Sequence, residues 1–143
     1  METYEKRSIS LAAAQSIVEA ALREAESVGI KVCVAVLDES GQLKAFVRQD
    51  GAALVTIRSS QDKAFTAVGF GIPSHAWYPM IKDDPALLHG VPTSIERVVI
   101  YGGGLPIKVD GQVVGAVGVG GGTHQQDRQI AEAGLRALEG AAA

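Results

Sequence analysis

The sequence predicts an α+β fold: an antiparallel sheet of five strands packed between N- and C-terminal helices and a set of middle helices. Three observations lead to that reading. Apolar residues recur at helical spacing in three long stretches, one near each end and one in the middle. Short extended runs rich in valine fill the intervals. Asp110-Gly111 stands between two such runs, and both residues tolerate the positive φ of a type I′ hairpin turn. The order expected is α–β–β–α, short helices, then β–β–β–α, in one domain spanning 1–143.

After a polar lead over residues 1–8, Ser10 is placed to cap a helix. Its apolar stripe is Leu11, Ala14, Val18, Ala21, Leu22, Ala25 and Val28, and Gly29 is its stop. Residues 32–37 are apolar on both faces, as in a central strand covered on both sides. A turn over 38–41 returns the chain as an alternating strand over 42–48, which makes a hairpin. Asp50-Gly51 then opens a helix over about 53–68, with Leu54, Ile57, Ala64, Phe65 and Val68 as its buried stripe. Gly69, Gly71 and Pro73 break it.

The segment 74–92 is irregular. Ser74 is placed to cap a short helix through Met80, and Asp84-Pro85 reads as an N-cap followed by proline at the first helical position. His75, Trp77, Tyr78, Met80 and His89 all fall here, and such a segment more often covers a cleft or a subunit contact than a core.

Residues 98–127 carry the best candidate site. They read as a strand over 98–101, a glycine turn, a strand over 105–109, the Asp110-Gly111 hairpin, and a strand over 113–119. That last strand alternates valine with glycine or alanine, so one face is nearly bare and another backbone or a flat ligand can come close. Gly120-Gly121-Gly122 then leads to Thr123, with Gln126 at capping-box spacing. A helix starting beside a glycine turn offers free N–H groups and a favourable dipole to an anion. The same glycines equally serve as plain tight turns. Thr123 stands where a dinucleotide fingerprint starting at Gly118 needs its third glycine, and no Lys-Ser/Thr pair follows, so nucleotide binding is not supported. Ile130, Ala131, Gly134, Leu135 and Leu138 give the last helix its inward stripe, and the GAAA tail is expected to fray.

With 143 residues, 47% of them hydrophobic and only 5% aromatic, the core must be built from Ala, Val, Ile and Leu. A net charge of −3 and the lack of a Lys/Arg cluster argue against nucleic acid or an anionic membrane as partner. No run of about twenty apolar residues exists to span a bilayer. METYEKRSIS has no apolar signal segment, so the location expected is the cytoplasm. Cys33, within an apolar run, reads as a buried inert thiol. So apolar a chain with an aromatic insertion on its outside is expected to form a homo-oligomer.

Several segments together resemble a known family. They are LAAAQSIVEAALREAESVGIKVCVAVLDESGQLKAFVRQDGA, SSQDKAFTAVGFG and YGGGLPIKVDGQVVGAVGVGGGTHQQDRQIAEAGLRAL, covering about 11–138. The Arg-x-Asp-Gly-Ala, Lys-Ala-x-Thr-Ala and Gly-Gly-x-Pro-Ile motifs, with the Asp-Gly hairpin, are similar to those of the GlcG/HbpS-like family. That family includes glycolate-operon GlcG proteins, secreted haem-binding HbpS proteins and the C-terminal domain of PduO-type proteins. The resemblance implies a profilin-like fold, symmetric oligomers and, in some members, haem. This chain departs from the haem-binding members. It shows no export signal, its first helix has no histidine, and His124 stands where relatives often carry proline.

Two functional readings follow. In the first, the chain is a small-molecule-binding accessory protein, with haem or a related tetrapyrrole as the first ligand to test. The ligand, anionic at its edge, would lie between Gly103, Gly104, Gly121, Gly122, Thr123 and His124 on one side and His75, Trp77 and Tyr78 on the other. In the second, a cofactor-independent enzyme acts on a small organic acid, with Lys63 holding the carboxylate and His124 or His89 moving the proton. Each residue also has a plainer role. His75, His89 and His124 read equally as surface histidines. Lys63 reads as pairing with Asp50 or Asp62, or as a solvated face with Arg58 and Asp62. Trp77 and Tyr78 read equally as an oligomer contact. No His-x-x-x-His or Cys-x-x-Cys spacing supports a directly bound metal.

Overall fold

The computed structural model describes residues 1–139, and the GAAA tail lies outside the described residues. Helix α1 (Leu11–Val28) starts where the Ser10 side chain accepts the Ala13 N–H, and ends at Gly29 in the left-handed conformation. Strands β1 (Cys33–Asp38) and β2 (Leu43–Arg48) form the first hairpin. Helix α2 (Thr56–Phe70) follows, then a single 3₁₀ turn (Ser74–Ala76) leading into α3 (Trp77–Ile81) and α4 (Pro85–Ser94). Asp84 caps α4 by accepting the Ala86 and Leu87 amides, as its position before Pro85 predicts. Strands β3 (Gly104–Val109) and β4 (Gln112–Gly120) close around Asp110 and Gly111, whose φ values of 51° and 78° are both positive. Helix α5 (His124–Glu139) ends the described chain.

The sheet has four strands in the order β2-β1-β4-β3, with β1–β2, β1–β4 and β3–β4 all antiparallel. The fifth strand expected at 98–101 does not form. Thr66 of α2 holds the segment instead: its hydroxyl accepts the Val99 N–H at 2.9 Å, and its proton lies between the Asp62 carbonyl at 2.8 Å and the Arg97 carbonyl at 3.0 Å. Arg97, immediately before that run, adopts φ 65°, a left-handed conformation outside the extended region.

Alternation along the strands sorts residues between two layers. Val34, Val36, Leu105, Ile107, Val117 and Val119 face α1 and α5, packing with Ala14, Ile17, Ala21, Ala25, Ile130 and Ala131. Ile17, absent from the expected stripe, is its fully buried centre, while Leu11 is largely exposed. α2 covers the other face, where Leu37, Ala64, Ala67 and Ala116 form a second cluster.

The bare face of β4 receives a backbone. Gly104 and Gly118 are cross-strand partners, and α2 lies directly over them. A Cβ on Gly118 would collide with the Ser60 carbonyl, and one on Gly104 with the Lys63 carbonyl. So close an approach explains why the buried residues of α2 are Thr56, Ser60, Lys63, Ala64, Thr66 and Ala67 rather than the large apolar stripe expected. Leu54 lies before the helix and is exposed. No described helix is long and apolar enough to cross a membrane.

Candidate functional site

A cavity of about 630 Å³ opens between the first turn of α5, the 100–102 segment and the 75–79 segment. Tyr78, Pro79, Ile100 and Tyr101 give it apolar walls, and His75, His124 and Arg128 its basic groups. Gly102 and Gln125 complete the lining.

Capping chemistry sets the α5 wall. The Thr123 hydroxyl accepts the Gln126 N–H at 3.1 Å, and the Gln126 side chain accepts the Thr123 N–H at 3.0 Å, a reciprocal capping box. His124 and Arg128, four residues apart, therefore share one helix face and reach the cavity together.

Beneath that wall lies a buried ion pair. Lys63 Nζ sits 2.8 Å from Asp127 Oδ2 and donates to the Val119 carbonyl at 2.9 Å, and both charged side chains are only 3% exposed. The other Asp127 oxygen accepts the Gly122 N–H at 2.8 Å. One lysine thus ties α2, the end of β4 and the start of α5 together. Neither expectation for Lys63 holds, because it pairs with neither Asp50 nor Asp62 and does not face solvent. Asp62 instead meets Arg97 at 2.8 Å and Arg58 at 3.4 Å.

The glycine turn is also not a ring of free amides. Asp127 takes the Gly122 N–H and Gln126 takes that of Thr123. The first-turn residues His124 and Gln125 are the ones that line the cavity.

Of the residues singled out from sequence, the structure gathers His75, Tyr78 and His124 around one cavity. Gly103 and Gly104 instead pack inward: a Cβ on Gly103 would lie 2.8 Å from Lys63 Nζ, and the Gly104 N–H donates to Ser74 Oγ at 2.9 Å. Ser74 is therefore a buried acceptor for the sheet and not a helix cap. Gly121, Gly122 and Thr123 are exposed beside the cavity lining. Trp77 turns away and meets Phe70 edge-on, with ring centroids 4.6 Å apart. His89 is exposed on α4 and outside the lining. An acid–base set of Lys63, His124 and His89 thus has only His124 at the cavity.

The environment of His75 shifts its titration. Burial first, and then the Arg128 guanidinium, hold its imidazole below the usual histidine value, while Glu132 pulls the other way. Its Nδ1 is buried with no hydrogen-bond partner. The Tyr101 ring links the cavity to the ion pair, lying edge-on to His124 at 6.0 Å and 5.2 Å from Lys63 Nζ.

Tyr101, Asp127 and Arg128 escaped the sequence reading. A signal existed for Arg128, which stands one helical turn after His124. Asp127, in the first turn after the cap, was visible only as a dipole-favourable acid. Its lysine partner lies 64 positions away.

A family model described as haem degrading protein HbpS-like matches residues 9–136. The chain belongs to the HbpS-like family. An uncharacterized 15.0 kDa protein from the dhaT-dhaS intergenic region of Citrobacter freundii is 36% identical over 127 residues, 89% of each chain. The crystal structure of Klebsiella pneumoniae protein ORFY is similar with a TM-score of 0.90 and 31% identity, covering 97% of this chain and 96% of that one. The PduOC:heme complex is similar with a TM-score of 0.85 and 28% identity, covering 91% of this chain and 94% of that one. This HbpS-like chain therefore shares its fold with a protein crystallised with haem.

Proposed function

We propose that this HbpS-like chain is a single-domain, cytoplasmic, small-molecule-binding accessory protein whose cavity at the start of α5 takes haem or a related tetrapyrrole. The observation that carries the reading is a largely apolar cavity with two imidazoles and a guanidinium on its walls. The haem complex of PduOC, a relative of the same fold, supports it.

The residues present fit the group. Imidazole nitrogen suits iron, and the unpartnered Nδ1 of His75 is a nitrogen that the protein leaves uncommitted. Bound haem would supply a redox-active iron. Tyr78 and Tyr101, each about half exposed, cover a flat ring and exclude water from it. Arg128 holds a carboxylate at the ring edge. Its present partner, Glu132 at 2.7 Å, is a surface pair of half-exposed side chains. Such a pair is worth only about 0.3–0.5 kcal/mol, so a ligand carboxylate displaces it at little cost.

Haem titration of the purified protein, followed by absorbance, tests the reading. We expect a saturable one-to-one Soret shift that weakens about tenfold in Arg128→Ala, as expected for one charge-assisted hydrogen bond of about 1.5 kcal/mol. A featureless, non-saturating curve would overturn the haem reading. The protein is further proposed to act as a homo-oligomer, since Tyr78, Met80 and Leu87 of α3 and α4 are large, apolar and about half exposed. A monomer by light scattering at micromolar concentration contradicts that part alone.

A further inference from the structure

We infer that His75, on the turn ahead of α3, is the residue that ligates the iron of the bound haem. His124 serves only as a polar wall. The inference rests on the haem reading above and deepens it.

The chain has three histidines, which makes the choice a closed one. His89 is exposed on α4 and does not line the cavity. His75 and His124 both do, but they are held differently. His75 stands between two fixed points. Before it, the fully buried Ser74 accepts the Gly104 N–H at 2.9 Å, which pins the turn to the edge of the sheet. After it, Trp77 is locked against Phe70 at 4.6 Å. A ligand residue whose backbone is fixed on both sides loses little freedom when its ring is captured by a metal.

The ring itself is uncommitted. His75 makes no hydrogen bond among the described residues, and its Nδ1 is buried without a partner. A metal ligand must present a neutral nitrogen lone pair. A neutral ring nitrogen of His75 would bind the iron through its lone pair, and any water it replaces would leave to solvent. His124 is exposed at the first position of α5 and leans edge-on against Tyr101, so its ring is less fixed by burial than that of His75.

The experiment is a ferric haem titration of the full-length wild type, His75→Ala and His124→Ala, read by absorbance and electron paramagnetic resonance. Free imidazole is added at the end of each titration. We expect a nitrogen-ligated spectrum for the wild type and for His124→Ala, the variant binding more weakly because it loses part of the cavity wall. His75→Ala should lose that spectrum, bind about tenfold or more weakly, and regain the wild-type spectrum when imidazole is added. A nitrogen-ligated spectrum that survives in His75→Ala, or one lost in His124→Ala, would overturn the assignment while leaving haem binding intact. No saturable binding by the wild type would overturn both readings at once. His75→Gln, closer in volume, repeats the test if His75→Ala does not fold.

Discussion

Replacing Asp127 by Asn probes the buried tie between α2 and α5 with little change of shape. The amide oxygen can still accept the Gly122 N–H, so what disappears is the charge opposite Lys63 Nζ, 2.8 Å away. With an effective dielectric near 20, two unit charges at that separation attract by about 6 kcal/mol. Taking each ion out of water costs several kcal/mol, so the intact pair contributes little net stability. The asymmetry appears when one partner is removed. Asp127→Asn leaves an ammonium only 3% exposed with the Val119 carbonyl as its remaining acceptor, and such orphaned charges cost about 3–5 kcal/mol. Lys63→Met leaves the carboxylate with one N–H donor, and should cost a similar amount. The double variant removes both charges and should be less destabilised than the sum of the singles by about 2–3 kcal/mol. Urea denaturation with a shared m-value measures all four species. Single variants costing less than about 1 kcal/mol, or strictly additive costs, would show that the pair is not the tie its geometry suggests.

Two further outcomes follow from particular residues. Gly118→Ala should destabilise by at least about 1–3 kcal/mol, because its Cβ meets the Ser60 carbonyl and α2 must lift from the sheet, and a thermal midpoint unchanged from wild type would contradict that packing. Folded His75 takes up a proton less readily than the unfolded chain, so its contribution to stability is complete above about pH 6.5 and fades as the pH falls through its lowered pKa. Urea midpoints of wild type and His75→Gln between pH 7.5 and 5 should therefore converge on acidification, and parallel curves would refute the assignment.

Local chemistry made much of this fold legible. Ser10, Asp84 and the Thr123–Gln126 box each cap the helix they were expected to cap, because a cap needs only residues within one turn. The Asp110-Gly111 hairpin forms for the same reason. What failed was non-local. Residues 98–101 have strand-like composition, but Thr66, more than thirty positions earlier, takes the Val99 N–H. The bare face of β4 was read as open to a backbone or a flat ligand, and only the path of α2 decides between them. Lys63 looked like a surface or substrate lysine because nothing near it in sequence reveals Asp127. The candidate site was legible as a neighbourhood, through His75, Tyr78 and His124. Its remaining walls, Tyr101 and Arg128, depend on how the 100–102 segment and α5 meet.

The ligand is proposed to sit in the cavity at the start of α5. Zinc protoporphyrin, a diamagnetic stand-in for haem, added to isotope-labelled protein would map the contact by backbone amide chemical shifts. The largest changes should cluster at His75, Tyr78, Tyr101, Gly102, His124, Gln125 and Arg128. Saturable changes centred instead on the groove between α1 and β2, around Val18 and Phe46, would contradict it.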